Sequence, residues 1–206
     1  VSIVSTFPLV LVTSPEKPYK TAKDFIAAAK TPSSAMNYGS AGNTSTSHLT
    51  MEMLKNRTGM DIMHVPYKGE SQAFTELLGG RIDGIFATVG GALTLINTDK
   101  MRPLAVASKE RISLLPNVPT LKESGIADFD VFGWYLVVAP AGIPDDVTTR
   151  LSQAIMKIGK SAKFQEAMKN RGMEAVGSTV EQATKQVKDE EQRWAVIIKE
   201  AGITVD

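Results

Sequence analysis

Residues 38–48 read Tyr38-Gly39-Ser40-Ala41-Gly42-Asn43-Thr44-Ser45-Thr46-Ser47-His48. A strand runs out at Ser40, small residues turn the chain, and a helical pattern starts near Ser45. That helix, residues 45–56, has Leu49, Met53 and Leu54 on its apolar face. A strand handed to a helix through a glycine-bearing turn is half of a βαβ unit. The same handover recurs twice. Strand 62–65 passes through Pro66-Tyr67-Lys68-Gly69 into helix 70–78. Strand 84–87 passes through Thr88-Val89-Gly90-Gly91 into a short helix, 92–97. This rhythm predicts an α/β fold with a largely parallel sheet.

Working outward, residues 7–12 form a short buried strand. Thr21 caps a helix over 21–30, with Asp24 completing a capping box and Phe25 and Ile26 facing inward. Pro32 and the following serine pair close that unit. Gly79 and Gly80 suit a left-handed helix end. Residues 104–107 and 131–138 read as strands, with Trp134 and Tyr135 as core residues of the second. Residues 109–128 are loop-rich, with a short helix near Leu121. Asp83 reads as a turn residue and the charged run 188–193 as a solvated helix face. Beyond Pro140, Gly142 and Pro144 the pattern turns helical, at 145–158, 162–170 and 179–201. Val180, Ala183, Val187, Trp194 and Ile198 of the last helix are expected in the core. The shift near Pro140 marks a domain crossing.

The chain of 206 residues carries 23 Lys plus Arg and 22 Asp plus Glu, a net charge of +1. No basic field exists to hold nucleic acid or an anionic membrane. No apolar run approaches the roughly 18 residues of a membrane span. Cysteine is absent, which excludes disulfides, thiol catalysis and cysteine zinc sites. Only His48 and His64 occur, so a multi-histidine metal site is not expected. The segment 38–48 has neither GxGxxG nor the GK[ST] ending of a phosphate loop, which disfavours a nucleotide, and no cofactor is expected. Ser47 and His48 diverge by ~100° on a helix and lack a GxSxG elbow, which argues against a nucleophile pair. His48 reads as a packing or hydrogen-bonding residue.

The chemistry concentrates at the three strand-to-helix turns. A helix's first turn has unpaired N–H groups and a positive dipole end, and attracts an anion. Gly39, Ser40, Gly42, Asn43, Thr44 and Ser45 are therefore candidate carboxylate-binding residues. The bland alternative is a polar capped loop. Ligands of open α/β sheets bind outside the carboxyl ends of strands. Tyr67, Lys68 and Thr88 thus become candidate wall residues, with a solvated turn lysine as the alternative for Lys68.

Several of these segments together resemble one known family. They are Tyr38-Gly39-Ser40-Ala41-Gly42, Ser47-His48-Leu49, His64-Val65-Pro66-Tyr67-Lys68-Gly69 and Leu77-Leu78-Gly79-Gly80. Arg102-Pro103-Leu104-Ala105-Val106, Leu115-Pro116-Asn117-Val118-Pro119-Thr120 and Ala139-Pro140-Ala141-Gly142-Ile143-Pro144 follow in order. The pattern is similar to the tripartite tricarboxylate transporter substrate-binding receptors, the Bug family. The resemblance implies a periplasmic-binding-protein-like fold of type II, with two α/β domains joined by crossing strands. It implies a non-enzymatic periplasmic receptor that closes around a small carboxylate-bearing solute and delivers it to membrane transporter subunits. It also implies that the family's first half-domain would precede Val1. On that expectation, residues 8–138 form one complete domain and 139–206 the C-terminal part of a truncated second. The start, with no charged leader or cleavage site, reads as an interior strand. Self-association of such a fragment is expected through helices that lack a partner. Many members carry Asp after the Phe of the third turn, where Ala87 stands here, which counts against an amino-acid ligand. A ligand-sensing effector domain of a transcription regulator is the rival of another class, and an enzyme on the same fold a third.

Overall fold

A computed structural model describes residues 1–31 and 34–203. Pro32 and Ser33, expected to close the first helical unit, lie outside the described residues. The chain divides into two compact units. The larger comprises residues 8–131 and the chain from Val196 on; the smaller comprises 1–7 and 132–195.

Strand β1 (Ser2–Thr13) begins in the smaller unit and ends in the larger. The larger unit then adds α1 (Ala22–Ala29), β2 (Asn37–Ser40), α2 (Thr46–Thr58), β3 (Met63–Pro66) and α3 (Glu70–Leu78). It continues through β4 (Gly84–Thr88), α4 (Val89–Asn97) and β5 (Arg102–Val106). Its sheet has the order β3-β2-β4-β1-β5. β2 runs parallel to β3 and β4. β1 runs antiparallel to β4 and β5, with Leu11 opposite Phe86 and Ala105. Four strands therefore share one direction, and β1 is the exception to the expected parallel sheet. Its residues Leu9 to Val12 are at most 1% exposed. A strand buried on both faces reads as a continuous apolar run whatever its direction, so sequence alone does not orient it.

Val10, Val12, Leu77, Ile82, Ile85 and Val89 form the centre of this unit's core. Each such side chain contributes about 1.5–3 kcal/mol when fully buried. Phe25 lies against the bare face of Gly84, where a Cβ would stand 2.8 Å from its ring. The capping box of Thr21 and Asp24 is present. Of the two glycines after α3, Gly79 has φ −79° and Gly80 takes the left-handed place at φ +71°. α4 starts three residues earlier than expected because Thr88 caps it, accepting the Gly91 N–H. Gly90 and Gly91 are consequently helical. At Leu121 the chain makes turns instead of a helix, anchored by hydrogen bonds between Leu121 N and Val106 O and between Val106 N and Pro119 O.

Asp83, which the sequence reads as a turn residue, is a buried hub. It accepts from Lys17 Nζ at 2.7 Å, Tyr19 Oη at 3.0 Å and Asn37 N at 2.9 Å, while its carbonyl accepts from Thr13 Oγ1. Burial, then the adjacent Asp83 charge, pushes the Tyr19 hydroxyl up to about 12.

In the smaller unit, β6 (Phe132–Val137) is followed by α5 (Asp145–Gly159), α6 (Ala162–Lys169), β7 (Glu174–Ala175) and α7 (Val180–Glu200), whose residues from Val196 on belong to the larger unit. β6 and β7 both pair with β1, the latter through Ser5 and Thr6. This pairing accompanies the division of the units at 131/132. Gly133 lies under the Phe7 ring, where a Cβ would meet Cζ at 2.0 Å. Tyr135 packs its ring against Phe7 at 5.2 Å between centroids yet stays 53% exposed, so it is not the core residue expected. In α7, Ala183 and Glu190 are buried, whereas Val180 is exposed and Val187, Trp194 and Ile198 are half-buried. Glu190 accepts the Trp194 Nε1–H at 2.7 Å, so the run 188–193 is not uniformly a solvated face.

Candidate functional site

β2, β3 and β4 are parallel neighbours, so Ser40, Pro66 and Thr88 end on one edge of the larger unit's sheet. Helices α2, α3 and α4 begin at that edge. All nine candidate residues lie on these three turns. Two contacts draw the first two turns together. Tyr67 N donates to Ser40 O at 3.1 Å. Gly39 leaves space for Tyr67 and Ile82, because a Cβ there would stand 2.5 Å from Ile82 Cδ1 and 3.3 Å from the Tyr67 ring. Tyr67 is half-buried and its hydroxyl is pushed up, chiefly by burial. Lys68 is exposed, and its N–H donates to Gln72 Oε1.

The first turn is strongly shaped. Gly42 has φ +134° and Thr44, unusually for a residue with a side chain, has φ +60°. A left-handed non-glycine residue costs on the order of 1–2 kcal/mol and persists where surrounding bonds fix it. Those bonds are present. The buried Ser40 Oγ accepts from Gly42 N at 3.1 Å and contacts Gly42 O at 3.0 Å and His64 Nε2 at 2.7 Å. Ala41 N donates to Ser47 Oγ, Thr44 N to His48 Nδ1 and Ser45 N to Gly42 O. Ser45 Oγ caps α2 by accepting His48 N. Several donors assigned to the anion seat are thus already closed within the turn. The N–H groups of Asn43, Thr46 and Ser47 have no partner among the described residues. Asn43 is also the exposed member of the turn.

Behind the turn stands a buried polar stack that no motif announced. The His48 and His64 rings lie 3.8 Å apart and 8° from parallel, with Tyr38 stacked 4.9 Å from His64. Tyr38 Oη donates to Glu52 at 2.5 Å, and Lys55 pairs with the same carboxylate at 2.9 Å. Burial lowers both histidines, and the neighbouring His48 lowers His64 further, to about 4. Both are therefore neutral near pH 7. His48 accepts at Nδ1, which places its proton on Nε2. It is the hydrogen-bonding residue expected. A cavity of about 340 Å³ adjoins the stack, lined by Asn43, His48, Glu52, Lys55, His64 and Ala201 to Ile203.

At the third turn Thr88 is already engaged. Its N–H donates to Glu70 Oε1 at 2.7 Å and its hydroxyl to Glu70 Oε2 at 2.8 Å. Glu70 gave no sequence signal beyond opening a helix. Among the described residues no group of three His, Asp or Glu side chains suits a metal, and no helix is long and apolar enough to cross a membrane.

A parallel sheet edge collecting three helix N-termini, on a unit that a through-running strand links to a second unit, defines the periplasmic-binding-protein class. Within it, this chain belongs to the family described as the tripartite tricarboxylate transporter family receptor, whose model matches residues 1–203. BugT of Bordetella pertussis is 33% identical over 202 residues, which is 98% of this chain and 62% of BugT. Among solved structures, an R. palustris protein with adipate matches at TM-score 0.91 and 28% identity, over 99% of this chain and 68% of its own. Periplasmic binding protein BugD matches at TM-score 0.87 and 29% identity, over 98% of this chain and 69% of BugD. The chain thus spans less than two thirds of BugT's length.

Proposed function

We propose that this chain is the ligand-binding part of a periplasmic solute receptor. The receptor captures a small carboxylate-bearing molecule by closure of two lobes and delivers it to the membrane subunits of a tripartite transporter. It performs no chemistry on its ligand and needs no cofactor. On this reading residues 8–138 are the complete ligand-binding lobe and residues 139–206 the C-terminal part of the other.

One observation carries this reading. α2, α3 and α4 all start at the carboxyl edge of β2, β3 and β4, and the Asn43, Thr46 and Ser47 N–H groups there have no partner. Helix N-termini with open N–H groups favour negative charge. Family membership and the adipate-bound relative support the same ligand class. Gly39, Ser40, Gly42, Thr44 and Ser45 act by shaping the seat, Asn43 by touching the ligand, and Tyr67, Lys68 and Thr88 by bordering it.

Titration calorimetry of the whole protein against a carboxylate panel tests the proposal. Saturable binding of an acid, weakened at least about tenfold by Ser40→Ala combined with Thr44→Ala, is the expected result. Unchanged affinity in that variant would remove the loop from the site. A regulator's effector domain would bind acids equally well, and a DNA-binding helix pair elsewhere in its chain would reveal it.

A further inference from the structure

Glu70 brings a carboxylate to the binding edge, reaching from the start of α3 to Thr88, the residue that caps α4. It opens α3 behind Gly69, whose φ is +110° and which offers no side-chain cap. The carboxylate turns away from α3 and takes both donors of Thr88, the N–H at 2.7 Å and the hydroxyl at 2.8 Å. The Thr88 hydroxyl in turn accepts from Gly91 N at 3.2 Å. Gly91 completes the cradle, since a Cβ there would lie 2.9 Å from Glu70 Oε2. The N-terminus of α4, which would otherwise attract an anion, is therefore occupied by the chain's own carboxylate.

This changes what the edge presents. At the α2 turn it offers N–H donors; at the α4 turn it offers the unused lone pairs of a carboxylate, which accepts up to about four hydrogen bonds in all. A ligand carboxylate fits the first position and is repelled from the second. An ammonium or hydroxyl group fits the second, where Glu70 brings to the third turn the carboxylate that Ala87 does not supply, against the expectation drawn from Ala87 alone. We infer that Glu70 is a specificity-determining residue, selecting a carboxylate whose far end bears a hydrogen-bond donor and rejecting a second carboxylate. The inference rests on the receptor reading above.

Calorimetry on the whole protein separates the two. The probes are matched pairs of equal chain length: 4-aminobutyrate with succinate, 5-aminopentanoate with glutarate, and 6-aminohexanoate with adipate. The expected result is that, in the pair whose length fits best, the amino acid binds at least about tenfold tighter than the diacid. Glu70→Gln keeps an amide oxygen for Thr88 and loses the charge, so the ratio collapses towards one or inverts while the melting temperature holds. A purely structural tether would leave the ratio unmoved. Diacids binding the unaltered protein as tightly as amino acids, or an unchanged ratio in Glu70→Gln, overturns the inference and leaves the receptor reading intact. If no member of any pair binds while another acid of the carboxylate panel does, the inference is overturned and the receptor reading stands; if no acid of the panel binds, both fail.

Discussion

At the scale of single residues, the shape of the candidate turn depends on a few buried side chains. Ser40 is the clearest. Its hydroxyl holds Gly42 N, meets Gly42 O and joins β3 through His64. Ser40→Ala leaves these buried groups short of a partner, which costs about 1–3 kcal/mol. We expect a lower urea midpoint together with weaker carboxylate binding, because a slack turn no longer pre-organises its open N–H groups. Retained stability with lost binding would instead make the hydroxyl a direct ligand contact. The histidine stack makes a second prediction, on pH. Burial lowers both rings, and the groups facing them act in opposite directions: Glu52 raises them and Lys55 lowers them. With folded-state values below the unfolded ones, the unfolded chain takes up protons first as pH falls. Their contribution is fully present above about 6.5 and is lost as pH drops towards about 4. Thermal melting between those limits should show a fall that His64→Gln flattens, since glutamine offers Ser40 a partner but does not titrate. A parallel fall in both proteins would assign the acid sensitivity elsewhere.

At the scale of elements, Asp83 ties the end of β1, the segment after it and the start of β2 into one unit. Asp83→Ala strands the Asn37 N–H, the Tyr19 hydroxyl and the Lys17 ammonium at once. Removing one partner of a buried charge pair costs about 3 kcal/mol or more. Chemical denaturation should show that loss, with Asp83→Asn falling between. Asp83 was read as a turn residue because local spacing shows only Gly79, Gly80 and a strand start. Its partners lie 46 to 70 residues away in sequence, and no local pattern encodes them. The elements themselves were legible for the converse reason. α1 declares itself by Thr21 and Asp24, α2 by Ser45 and Gly59, α3 by its bounding glycines. What stayed hidden was direction and pairing: β1 against its neighbours, Glu70 across to Thr88, His64 onto Ser40. The turn 38–48 was legible as a shaped loop, but not the fact that most of its donors bond within it.

At the scale of the molecule, the smaller unit displays apolar side chains that ordinary surface patterning does not explain. On α5, Val147, Leu151 and Ile158 are 38%, 42% and 51% exposed, and the 4- and 7-residue intervals place them on one helical face. Val138, just past β6, is 73% exposed. The net charge of +1 supplies little repulsion between copies. Burying such a stripe gains about 25 cal/mol per Å² of apolar area, while exposed charged residues at the same places gain nothing. The isolated chain of 206 residues should therefore self-associate, with a sedimentation coefficient that rises with concentration. Leu151→Glu with Ile158→Glu should abolish the rise and leave the melting temperature within a few degrees, because these side chains contribute little to a core. A wild-type chain that stays monomeric across the same range would show that the stripe is too narrow or too mobile to pair. A double variant that unfolds would show instead that the stripe is covered in solution by the chain itself.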